Sequence, residues 1–184
     1  MREREDRHRT VAGFALVEVL IAAGLLIVVA VGVSQVSAAA VRASHAARAR
    51  TMAAVLAAQK MEQLRSLTWS RTLVGSPGVT VPVSDVSTDV SSDPPTGSGR
   101  GLLPSPAGTL DENVPFYVDY LDGAGAWAGR GATPPATAVY VRRWAVQPLD
   151  SDPADILVLQ VIVTTTAAPT THESRLLSVL TRRP

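Results

Sequence analysis

From Phe14 to Val41 apolar residues occupy every side of a helix. No residue from Val19 to Val41 carries a formal charge. At about 20 residues per span, this run is long enough to cross a membrane once. It is too long for the apolar core of an ordinary signal peptide, about 7–15 residues, and no small-x-small cleavage site clearly ends it. Helical character is expected to persist to about Leu67, because good helix formers dominate and no proline occurs before Pro77. Met52, Leu56, Leu64 and Leu67, with Ala53 and Ala57, fall on one side at helical spacing, whereas Glu62 and Arg65 fall on the other. Lys60 intrudes on the apolar side, where its long stem can let the ammonium snorkel to water. The inner half of the helix, 14–41, is therefore apolar all round, and the outer half, 42–68, is amphipathic. Gly24 and Gly32 either weaken the helix slightly or admit a close neighbour.

After the helix the pattern changes. Residues 69–113 are rich in Ser, Thr, Gly, Pro and Asp, and Ser92–Gly99 reads as an exposed loop. A short edge strand is expected at Val79–Val83, with Pro82 limiting its pairing. Four better strands follow. Val114–Leu121 alternates Phe116, Val118 and Tyr120 against Tyr117, Asp119 and Leu121, and Asp122-Gly123 marks a turn. Ala138–Val146 contains Arg142-Arg143-Trp144. Ile156–Thr165 is apolar on both faces, which predicts a central position. Ser174–Leu180 is the last, with turns at Pro148–Pro153 and Ala167–Thr171. The order predicts an α+β fold, one long N-terminal helix packed on a C-terminal antiparallel sheet of three or four strands. Strand alternation sends Arg142 and Arg143 to opposite faces. One could contact a neighbouring subunit, but the plainer expectation is a solvated edge charge with its stem over Trp144.

Composition narrows the function. The net charge is +1, so no global basic field argues for nucleic acid, and none is expected as a partner. The chain has no cysteine, which excludes disulfides, thiolate catalysis and zinc–cysteine sites. His45 and His172 have no neighbour at ligand spacing, and no H-E-x-x-H, G-x-S-x-G or phosphate-loop motif occurs. Asp150, Asp152 and Asp155, and the smaller group Asp119 and Asp122, are oxygen-rich, as calcium prefers. Their spacing fits no EF-hand, and solvated turn aspartates are the simpler reading. No enzyme activity, cofactor or metal is expected. An aromatic content of 4% offers little stacking surface for bases or sugars.

One acid breaks the apolar run. Glu18 follows Gly13-Phe14-Ala15-Leu16-Val17, directly after a leader holding Arg2, Arg4, Arg7 and Arg9 against Glu3, Glu5 and Asp6. A charged side chain at a helix centre in lipid costs about 2.5–3.5 kcal/mol on insertion scales, so such an acid calls for a partner or snorkels to the headgroups. The positive-inside tendency keeps the leader cytoplasmic and sends the C-terminus across the membrane.

This segment resembles the cleavage and methylation motif of type IV prepilins and type II secretion pseudopilins. The resemblance implies that Gly13 precedes the cut and that Phe14 becomes the N-terminus, exposed and N-methylated by a dedicated prepilin peptidase. It implies that Glu18 is the family's assembly glutamate. Ala15 departs from the commoner Thr or Ser. Val55–Arg65, Ala-rich with Gln59-Lys60-Met61-Glu62, is similar to minor pilins of the V class and minor pseudopilins of the I class. The implied organisation is a leader at 1–13, a transmembrane or filament-core helix at 14–41, its amphipathic continuation at 42–68, a variable loop region at 69–113 and a β-sheet head at 114–184. The implied fold is pilin-like, and the implied function is a structural subunit that primes a pilus or pseudopilus. Implied partners are other pilin or pseudopilin subunits, an inner-membrane assembly platform and lipid. The implied location is the bacterial inner membrane, with the head extracytoplasmic, and then the filament. The alternatives are a signal-anchored binding module that keeps its leader, and a minor pilin for adhesion or DNA uptake.

Overall fold

The computed structural model describes residues 3–73 and 80–182, with side chains at 16–71, 83–167 and 174–182. Met1–Ala47 and Arg48–Pro184 form two compact units. Helix α1 spans Glu3–Arg65 and so begins upstream of Phe14. In the first unit its described side chains up to Val41 are all exposed. An 18-residue window within this stretch has a mean hydropathy of 2.8, long and apolar enough for a membrane span. An added Cβ at Gly24 or Gly32 would meet nothing within 4 Å, so no contact within the chain requires either glycine.

In the second unit the outer part of α1 packs on an antiparallel sheet, giving the α+β layout that the sequence predicts. The sheet has five strands rather than three or four: β3 (Val118–Leu121), β4 (Trp127–Arg130), β5 (Tyr140–Leu149), β6 (Asp152–Thr165) and β7 (Ala168–Thr181). They lie in the order β4-β3-β5-β6-β7, so β6 is interior as its two apolar faces predict. Two further strands, β1 (Trp69–Leu73) and β2 (Thr80–Ser84), form a hairpin inside the expected loop region. The expected edge strand matches β2, with Val79 outside the described residues.

Three strand boundaries differ from expectation for local reasons. β3 starts at Val118 because Val114–Tyr117 folds as a turn, closed by the Tyr117 amide donating to the Val114 carbonyl at 3.0 Å. β5 and β6 run through the expected Pro148–Pro153 turn. Pro148 lies opposite Leu157, and the connection shrinks to Asp150-Ser151, next to a register shift at Pro148/Leu149. Proline is tolerated where its missing N–H leaves no ladder bond unmade. Likewise β7 begins at Ala168, after a turn at Thr166-Ala167, so most of the expected turn Ala167–Thr171 is strand.

Alternation along the strands sorts the side chains into two layers. Toward the helix point Tyr117, Leu121, Tyr140, Trp144, Val146, Leu157, Leu159, Val161 and Val163, which meet Ala53, Leu56, Ala57, Met61 and Leu64 of α1. Full burial of each large apolar side chain contributes about 1.5–3 kcal/mol. Met52 and Leu67 complete the helix stripe at its margins, while Glu62 and Arg65 pair with each other in solvent at 3.1 Å. Val118, Tyr120 and Val141 form a smaller cluster on the opposite face. Ser92–Gly99 is an exposed loop apart from half-buried Ser92 and Gly99, as expected.

Candidate functional site

The sequence places its candidate site at the start of the apolar run. The backbone of Gly13 and Phe14 lies within α1, and the Phe14 side chain lies outside what is described. Glu18 is described and exposed, between Val17 and Val19 at 54% and 67% exposure. The next formal charge along the chain is Arg42. Leu16, Leu20, Ile21, Leu25 and the large apolar residues that follow to Val41 are 51–71% exposed. Among the described residues, Glu18 is therefore a lone acid on an apolar helix surface that is left uncovered.

A second charged constellation sits inside the head, and sequence reasoning did not assemble it. Asp119 on β3 lies directly across from Arg142 on β5. The Arg142 guanidinium forks onto it, Nε donating to Oδ1 at 2.9 Å and Nη2 to Oδ2 at 2.8 Å. Lys60, from the buried stripe of α1, reaches the same Oδ2 at 2.8 Å. Lys60 and Asp119 are each 1% exposed and Arg142 5%. Lys60 also donates to the Val90 carbonyl at 2.5 Å and to Gln63 Oε1 at 2.7 Å, and its Nζ stands 4.4 Å from the Trp144 ring centre. Arg142 Nη1 donates to the Leu56 carbonyl of α1 at 3.1 Å. One carboxylate thus clamps the helix to the sheet through two cations.

This arrangement corrects three expectations. Lys60 does not snorkel, because its ammonium finds three acceptors inside the head. Arg142 is not a solvated edge charge, because its strand is interior and its partner lies across the ladder. Asp119 is not a solvated turn aspartate, because it is buried on β3 with both oxygens taken. Arg143 does point to the other face, where Nε donates to Asn113 Oδ1 at 2.9 Å. Two other acids of these groups, Asp122 and Asp155, also have structural roles. Asp122 caps its turn by accepting from the amides of Ala124 at 2.8 Å and Ala126 at 2.9 Å. Asp155 pairs with Arg71 at 2.6 Å. Among the described residues no group of three or more His or acidic residues could hold a metal ion.

The clamp gives the head a pH signature. Burial lowers the Lys60 ammonium from 10.5 to about 8, with Asp119 opposing the shift and Arg142 adding to it. Between these values the unfolded chain binds more protons than the native one, so stability rises with pH across that window. Burial raises Tyr117 and Tyr120 above their ordinary value of 10. There the unfolded chain loses its protons first, and stability falls as pH rises. The melting temperature of the detergent-solubilised chain, followed by Trp fluorescence, should peak at about pH 9–10. In Lys60→Met the rising limb should flatten while the falling limb remains.

Comparison of this chain with protein-family models, with curated proteins and with solved structures finds no match.

Proposed function

We propose that this chain is a minor pilin or pseudopilin, a structural subunit that primes assembly of a type IV pilus or a type II secretion pseudopilus. The observation that carries this reading is the uncovered apolar surface of α1 from Leu16 to Val41, with Glu18 at its start and Gly13-Phe14 just before it. An exposed apolar area of that size needs lipid or like helices around it. Lipid holds the subunit before assembly, and neighbouring helices replace lipid afterwards. The room at Gly24 and Gly32 suits close approach of such helices.

Cleavage after Gly13 supplies what Glu18 lacks. It frees an α-amino group at Phe14, cationic at neutral pH because its ordinary pKa is about 7.7–8.0. Placed on a neighbouring subunit, that amine neutralises Glu18 in the filament core, and pairing makes a buried charge tolerable. The pair also fixes the stagger between subunits, the role buried polar groups play in setting helix register. The chain performs no catalysis; its work is packing. Its partners are the prepilin peptidase, other pilin or pseudopilin subunits, the assembly platform and membrane lipid. The anchor lies in the bacterial inner membrane with the head extracytoplasmic.

Intact-mass analysis of the chain from a membrane fraction tests this directly. The mature chain should begin at Phe14 and carry one methyl group on its amine. A bulky replacement of Gly13 should leave Met1–Gly13 attached. A native chain that still begins at Met1 would overturn the proposal and favour the signal-anchored alternative.

A further inference from the structure

A concavity of about 520 Å³ opens on the head where the loop after Gly99 crosses the start of β3. Pro104, Pro106, Val114 and Pro115 form its walls. Proline offers no N–H, so these walls present little to a polar ligand. Tyr117 lines the floor, but its hydroxyl is already engaged, donating toward the Leu103 carbonyl at 3.1 Å and the Pro104 carbonyl at 3.3 Å. That leaves Arg100 as the charged group at the rim. It is exposed, and among the described residues it enters no ion pair. Its guanidinium lies 5.8 Å from the centre of the Phe116 ring.

Phe116 is itself unusual. Its φ is +71°, in the left-handed region where a bulky side chain is strained. Such strain persists only where surrounding structure enforces it, and it concentrates at ligand clamps and active sites. Here it ends the turn before β3 and places the ring beside Arg100. An arginine over an aromatic ring keeps its N–H groups free for a planar, two-oxygen acceptor.

We propose that this concavity is a binding site for a carboxylate-bearing apolar ligand, with the carboxylate on Arg100 and the apolar body against Phe116 and the proline walls. A volume of this size suits one or two residues of a peptide or a small organic acid. A single cation over an apolar floor matches a monoanion better than a phosphate. The site stands on the head alone and does not depend on filament membership.

The test uses the full chain in detergent micelles and ligand-observed NMR. N-acetylphenylalanine should bind, and its uncharged amide should bind about tenfold or more weakly, as loss of a charge-assisted bond implies. Arg100→Ala should weaken the acid by a similar factor and leave the amide unchanged. Phe116→Gly relaxes the backbone and removes the ring, so it should lose both ligands while the Trp fluorescence of the folded head is kept. A tetrapeptide ending in Phe separates two sources of the same chemistry. Tighter binding than the single residue identifies a polypeptide terminus, and equal binding identifies a free organic acid. Equal affinity for acid and amide, indifference to Arg100→Ala, or no binding of either probe would overturn the proposal.

Discussion

Replacing Asp119 by Ala should cost the head about 3–5 kcal/mol, the range for breaking a buried ion pair from one side. The melting temperature should fall by roughly 10–20 °C for a domain of this size. The size of the effect comes from an imbalance of charge. Lys60 and Arg142 are both buried, and Asp119 is the carboxylate that touches both. Without it, two cations remain in the interior with only carbonyl and amide oxygens for partners. Cavity formation alone would cost less and would not depend on Lys60. The second substitution Lys60→Met separates the two causes. In Asp119→Ala it removes one stranded cation and should restore part of the lost stability. In the native background it removes a favourable contact with Asp119 and orphans the Val90 carbonyl. The two changes should therefore couple strongly, as residues of one network do. Strict additivity in urea melts would mean that stranded charge is not the cause.

The same three residues show how far the sequence could be read. Periodicity was enough for the helix, for its apolar and amphipathic halves, for the interior position of β6 and for the Asp122-Gly123 turn. These are local signals, carried within one element. The Lys60–Asp119–Arg142 clamp joins residues up to 82 positions apart, and no local pattern states that they meet. A signal was nevertheless present. Lys60 falls on the stripe of Leu56 and Leu64, Asp119 on the parity of Tyr117 and Leu121, and Arg142 on that of Tyr140 and Trp144. Each is a charge at a core-facing position, and the two cations share one carboxylate. β4 carries no clear strand pattern, because Gly129 lies within its four residues and Gly123, Gly125 and Gly131 flank it. β1 was hidden in a polar stretch, where Trp69 was its strongest strand-forming residue. Prolines at 148 and 153 mimicked a long turn, although only Asp150-Ser151 turns the chain.

Replacing Glu18 by Ala should abolish filament incorporation while leaving membrane insertion and leader removal intact. Insertion depends on the apolar run, which the substitution makes more apolar. The proposed cleavage acts at Gly13-Phe14, upstream of the change. In the proposed function, assembly is the step that brings the freed amine of one subunit to the acid of another. In the variant that amine would enter a helical core with no counter-charge. Losing one partner of a buried pair costs about 3–5 kcal/mol, which lowers association by a factor of roughly 100 or more. Glu18→Gln keeps the shape and removes only the charge, so it should fail almost as completely. If burial of apolar surface were sufficient, the Ala variant would assemble at least as well as the native chain. The measurement is the fraction of mature chain recovered in sheared or detergent-resistant polymer, with intact mass reporting leader removal in the same sample. Normal incorporation of a processed Glu18→Ala chain would show that the acid does no work in assembly. The case for a polymer subunit would then rest on leader removal and the uncovered helix, without the pairing of amine and acid.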